Sequence, residues 1–125
     1  PSCGEIDMME HWASNPNHVS SAIHTPSSFG GTYNTGGIDL NDVREYHYYK
    51  MKWTADRIEF FVDDNNYYTY NPENKNENTW PFNKNQYLLI NIAVQNDAVF
   101  QEDEVVIDFV RVSDLDGNVL WNDEF

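Results

Sequence analysis

The feature that most limits what this chain can fold into is how short its apolar runs are and how firmly each is closed. Glu5–Glu10, Val19–His24, Arg44–Trp53, Arg57–Val62, Tyr67–Tyr70, Tyr87–Val94 and Glu104–Val112 are rich in Val, Ile, Tyr, Phe and Trp. Each is bounded by Gly, Pro, Asn or Asp, residues that supply positive φ, block a ladder bond or compete for backbone partners. No stretch repeats apolar residues at helical spacing over a useful length, and Leu40–Val43 supports at most one turn. The pattern predicts an antiparallel all-β sandwich. Arg57–Val62, the turn Asp63-Asp64-Asn65-Asn66 and Tyr67-Tyr68 read as a hairpin, because Asp and Asn tolerate the backbone of a tight turn. Val105–Val112, the turn Asp114–Asn118 and Val119-Leu120-Trp121 read as a second. Ser27–Gly37 and Asn71–Gln86 are polar enough to be surface connections.

A chain of 125 residues accommodates one domain. It carries 7 Lys+Arg against 21 Asp+Glu, a formal charge of −14. A surface so acidic repels phosphate backbones, which argues against nucleic acid as a partner. No apolar run approaches the ~20 residues of a membrane span, so no membrane partner is expected. Cys3 is the sole cysteine; it has no internal disulfide partner and reads most simply as a small buried residue. His18 and His24 share a strand face, but no third ligand stands at a spacing that would make a zinc site. His47, among tyrosines, reads as a satisfied core or edge histidine.

The chemistry concentrates in Gly4-Glu5-Ile6-Asp7-Met8-Met9-Glu10-His11. On a regular strand Glu5 and Asp7 project to one face and Ile6 and Met8 to the other, which leaves Glu10 on the wrong side. A β-bulge around Met8-Met9 restores Glu10 to the face of Glu5 and Asp7. Carboxylates gathered in this way raise one another's pKa, so one can stay protonated beside another that is ionised. Glycosidic bond cleavage needs that division of roles. A solvated acidic edge strand would show the same residues.

The segment from Pro1 to His11 resembles the E-x-D-x-x-E signature of glycoside hydrolase family 16, most closely its laminarinases. Further resemblance follows in order: Asn17 and Val19 leading to His24-Thr25-Pro26, Tyr46-His47-Tyr48-Tyr49 with Trp53-Thr54, Phe61-Val62-Asp63, Trp80-Pro81-Phe82, Leu89–Val94 and Ile107–Val112. The resemblance implies a jelly-roll sandwich of the concanavalin A-like kind, here only part of one, and endo-acting hydrolysis of β-1,3-glucan by a retaining double displacement. Glu5 would be the nucleophile, Glu10 the acid and then the base, and Asp7 the residue tuning Glu5. Retention asks for working carboxyls ~5–5.5 Å apart. His11, His24, Asn91 and Gln95 would meet the sugar; Trp12 and Trp80, flanked by polar loop residues, either offer it a flat apolar face or belong to the core. No cofactor is required; a structural calcium at Asp108 is the one ion the resemblance brings. A β-glucan partner and a secreted or cell-surface location follow from the same source.

The chain departs from the family in two places. The loop after Val94 reads Gln95-Asn96-Asp97-Ala98-Val99-Phe100 where a Gly-Gly-Asn-Trp-like stretch is usual. The signature also lies near the middle of a complete module, so residues 1–112 correspond to its catalytic-signature half. Residues 113–125 form a turn and strand whose Trp121-Asn122-Asp123-Glu124-Phe125 resembles the module's opening strand, as in a permutant or a split enzyme. A complementary chain or a second copy is then expected to complete the sandwich. The competing function is a non-catalytic glucan-binding or structural fragment.

Overall fold

The computed structural model describes residues 2–96, 99 and 102–125, and these form two units that divide between Gln86 and Tyr87. All regular structure among the described residues is antiparallel strand, and no helix there is long and apolar enough to cross a membrane. In the first unit β1 (Glu5–His11), β2 (His18–His24) and β3 (Thr35–Asp39) make one sheet in that order. β4 (Tyr49–Trp53), β5 (Ile58–Val62) and β6 (Asn65–Tyr70) make a second. The layers meet where β3 lies on β6 and β1 on β4. They close over Ile23, Ile58, Phe60, Tyr70, Trp80 and Phe82, flanked by Ile6, Met51, Trp53, Tyr67 and Tyr68. Burying each large side chain contributes about 1.5–3 kcal/mol before the entropy of ordering it.

The period-2 reading holds along β5, where Ile58, Phe60 and Val62 are buried and the residues between them are not. The β5–β6 turn places Asp63 at φ 54°, the conformation its residue type was expected to tolerate. Asp63 also receives the backbone N–H of Tyr48 at 3.0 Å on Oδ1 and faces His47 Nδ1 at 3.0 Å through Oδ2. His47 is satisfied as expected: Nδ1 faces that carboxylate and Nε2 lies 3.1 Å from the carbonyl of Asp42.

The structure corrects several boundaries. Ser27–Gly37 is not wholly a surface connection, since its last residues open β3. A Cβ on Gly36 would meet Tyr68 at 2.7 Å, and one on Gly37 would strike His18. Glycine here marks a close approach of backbone to side chain within a strand, which composition alone renders as a loop. The strand expected over Arg44–Trp53 begins only at Tyr49, because residues before it are held by Asp42, His47 and Asp63. Cys3 is exposed.

The second unit contains β7 (Phe109–Ser113) and β8 (Val119–Glu124), joined through Gly117 at φ 89°, the hairpin the tail predicted. Asp108 precedes it, and its carbonyl receives the N–H of Phe125 at 3.0 Å. The strand expected over Glu104–Val112 is confined to its end. Tyr87–Val94, expected as a strand, has no ladder partner among the described residues, and Tyr87, Leu88, Leu89, Ile90, Ile92 and Val94 are exposed. Strand composition becomes a strand only against a neighbouring backbone.

Candidate active site

β1 and β2 build the site through their register. Glu5 pairs with His24, Asp7 with Ala22 and Glu10 with Ser20, and the ladder shifts between Asp7 and Glu10. Met8 and Met9 thus stand opposite Ser21 alone, which is the one-residue bulge the spacing predicted. Because His24, Ala22 and Ser20 alternate along β2, Glu5, Asp7 and Glu10 share their face. Ile6, paired with Ile23, lies on the opposite face and packs on the core.

The three carboxylates are unequal. Glu5 is exposed, Glu10 partly covered, and the Asp7 side chain 22% exposed. His24 Nε2 lies 3.0 Å from Asp7 Oδ2. Burial pushes the Asp7 carboxyl up to about 6; Glu5 and then Glu10 add to the rise, and His24 opposes it. The native state therefore binds a proton more tightly than the unfolded chain, and stability declines as pH rises from about 4 to 6. Asp7→Asn removes that penalty. It is expected to raise the unfolding free energy at pH 7 by on the order of 1–3 kcal/mol and to leave it nearly unchanged at pH 4, as read by urea unfolding at both pH values. An equal effect at both would show that Asp7 carries no such penalty.

Beside the carboxylates, Glu10, Trp12, Ala22, His24, Gly30, Gly31, Thr32 and Thr35 line a pocket of about 240 Å³. Trp12 is 50% exposed and lines that pocket together with Glu10. His11 is turned away to the backbone of β2, with Nδ1 3.0 Å from the carbonyl of His18. Of the two roles the sequence allows Trp80, the core is the one it takes. It is 4% exposed, stacks on Tyr70 and meets Phe82 edge to face. From the polar loop before it, Lys75 Nζ lies over the Trp80 ring, 5.4 Å from its centroid, and the Asn76 carbonyl receives the Trp80 backbone N–H.

Asn91 and Gln95 are exposed residues of the second unit; Asp97, Ala98 and Phe100 of the altered loop lie outside the described residues. Asp108 is exposed and belongs to no group of three or more side-chain ligands among the described residues. Glu5, Asp7 and His24 are the one such group, with ligand atoms within 4.8 Å of one another. The sequence reading did not single out Ser21, which is fully buried and donates to the carbonyl of Met8 at 2.8 Å. Its signal is a hydroxyl at the parity of Val19 and Ile23, both core residues.

The family model for glycosyl hydrolases family 16 matches residues 1–111. The chain belongs to this family. Among its relatives, a beta-glucanase of Rhodothermus marinus is 34% identical over 128 residues, covering 90% of this chain and 45% of that protein. A keratan-sulfate endo-1,4-beta-galactosidase of Sphingobacterium multivorum is 35% identical over 99 residues, covering 74% of this chain and 22% of that protein. The crystal structure of a laminarinase from Flavobacterium sp. UMI-01 superposes with a TM-score of 0.65 at 39% identity, covering 67% of this chain and 37% of that one. The chain thus spans less than half the length of these relatives. The two packed layers are part of the family 16 sandwich.

Proposed function

We propose that this chain carries the catalytic signature of an endo-acting β-1,3-glucan hydrolase working by retaining double displacement. The observation that supports it best is the bulge, which turns Glu10 to the side of Glu5 and Asp7 beside an open pocket. An acidic edge strand kept only for solubility has no need of an extra residue at that point. In this reading Glu5 attacks the anomeric carbon while Glu10 gives its proton to the departing oxygen. Glu10, now ionised, then takes a proton from the water that releases the sugar. Asp7 shares its carboxylate field with Glu5 and is steadied by His24. Trp12 offers a flat face to a pyranose ring.

The substrate reading rests on laminarinase and beta-glucanase relatives, against a galactosidase of similar identity over a shorter span. A polymeric glucan is met outside a cell, so the protein acts secreted or at the surface. The reaction needs no cofactor. A structural calcium at Asp108 would need roughly six to eight oxygen ligands, of which Asp108 supplies at most two. The exposed run Tyr87–Val94 supports a need for further strands, whether from a complementary chain, a second copy or a longer polypeptide.

The experiment is hydrolysis of laminarin, barley glucan, keratan sulfate and agarose, by the chain alone and with the remaining family 16 strands supplied as a second polypeptide. The expected result is laminarin cleavage with initial retention of the β anomer, weak or absent for the chain alone and saturating at one partner per chain. Galactan products would move the substrate to the galactosidase branch. Binding of laminarin with no cleavage in any form would establish the non-catalytic reading.

A further inference from the structure

Two bulges of the first unit, one in each sheet, are linked through a single buried side chain. On β1, Met8 and Met9 oppose Ser21. On β6, Tyr67 is the extra residue, since Phe60 pairs with Tyr68 and Phe61 with Asn66. That bulge turns both Tyr67 and Tyr68 toward the core, and Asn66 braces it by donating from Nδ2 to the carbonyls of Phe60 at 3.1 Å and Tyr68 at 3.2 Å. Between the bulges stands Ser21, fully buried. Its hydroxyl has one proton, which goes to the carbonyl of Met8 at 2.8 Å. The hydrogen bond between Ser21 Oγ and the Tyr67 hydroxyl is therefore donated by Tyr67. Burial raises the pKa of Tyr67, so the donor persists at all pH values of interest.

We infer that Tyr67 and Ser21 are positioning residues for the acid/base: the relay from Tyr67 through Ser21 to the Met8 carbonyl holds the β1 bulge in the one geometry that sets Glu10 beside Asp7. A bulge adds a residue whose carbonyl is free of the regular ladder and whose backbone has more than one available arrangement. Without a fixed partner on the core side, the two residues between Asp7 and Glu10 can redistribute the bend, and Glu10 turns with them. The hydroxyl of Ser21 removes that freedom, and Tyr67 orients the hydroxyl from the opposite layer. The catalytic face of one sheet is thus registered against the core face of the other. The inference deepens the hydrolase reading and rests on it for its kinetic consequence.

The test uses Ser21→Ala, Tyr67→Phe and the double variant, in whichever form of the protein cleaves laminarin. Ser21→Ala is expected to lower kcat on the order of 10-fold with KM little changed, because displacement of the acid by a fraction of an ångström to an ångström degrades orientation and not binding. Tyr67→Phe alone should cost roughly 2–3-fold, and in the Ser21→Ala background nothing further, since the relay is already broken. A packing defect would instead add and would not spare KM. Full turnover in Ser21→Ala overturns the inference and leaves the hydrolase reading standing. If the wild type cleaves no glucan in any form, that reading fails separately, and the inference is judged by the carboxyl carbon shift of Glu10 in the folded chain. The expected result is a displaced Glu10 signal in Ser21→Ala, with a smaller displacement in Tyr67→Phe. An unchanged Glu10 signal in both overturns it.

Discussion

If the hydrolase proposal holds, replacing either Glu5 or Glu10 by glutamine, with the remaining strands supplied, is expected to reduce laminarin turnover by roughly 10³-fold or more while the folded state persists. Glutamine keeps the shape of the side chain and cannot attack as a carboxylate or donate a carboxylic proton, and positioned proton transfer alone contributes about 10²–10⁴-fold. Both residues sit on the solvent-accessible face of β1, so neither change opens a cavity in the core. The two losses should differ in kind. With an aryl glucoside whose leaving group departs without a proton, Glu10→Gln should still form the glycosyl-enzyme and then stall. Glu5→Gln should fail at the first step. A burst of released phenol in the Glu10 variant and none in the Glu5 variant assigns the roles. Equal behaviour of the two would remove the assignment, and unchanged turnover in either would remove that residue from the site.

Gly4→Ala is expected to be the most damaging single methyl in the first unit. Gly4 immediately precedes β1 at φ 77°, where an L side chain costs roughly 1–2 kcal/mol. A Cβ there would also strike the ring of Phe82 and come within 2.8 Å of Pro81 Cγ. Phe82 is 2% exposed and meets the stacked pair Tyr70 and Trp80 edge to face, so a shift of its ring disturbs both. Overpacking of this sort adds about 1–3 kcal/mol. Together they lower Tm by roughly 10–20 °C in a domain of this size. Gly30 supplies the control: it lies at φ 66° with nothing within 4 Å of its would-be Cβ. Gly30→Ala should therefore show only the conformational part, a fall of roughly 5 °C. Equal losses at the two positions would mean that Phe82 gives way and the core is looser there than its packing indicates.

How much could be read from the residues depended on whether a signal was local. The bulge was legible because E-x-D-x-x-E and the apolar Ile6 and Met8 demand incompatible parities on a regular strand, and one extra residue is the smallest repair. The β5–β6 hairpin was legible because its turn chemistry sits between two β-rich runs. β3 was not, since Gly36 and Gly37 look like loop residues until Tyr68 and His18 are seen to press on them. Trp80 stayed open between cleft and core for the same reason: polar neighbours in sequence say nothing of what packs on the ring. Tyr87–Val94 has the composition of a strand and no partner among the described residues.

By itself the amino-acid sequence determined the all-β class, the shared face of the three carboxylates and the family. Each of those follows from parity, turn residues or a run of matched positions, all of which are encoded within a few residues. The tertiary structure alone decided how far burial raises Asp7, which aromatics stay open to solvent and what contacts the bulge makes. Asp7 is raised because burial and the fields of Glu5 and Glu10 outweigh the nearby His24. Trp12 is open and Trp80 closed because of what the layers cover. Tyr67 meets Ser21 from the other sheet, across 46 residues of chain. Burial and fields depend on distances in space, and no local pattern carries them.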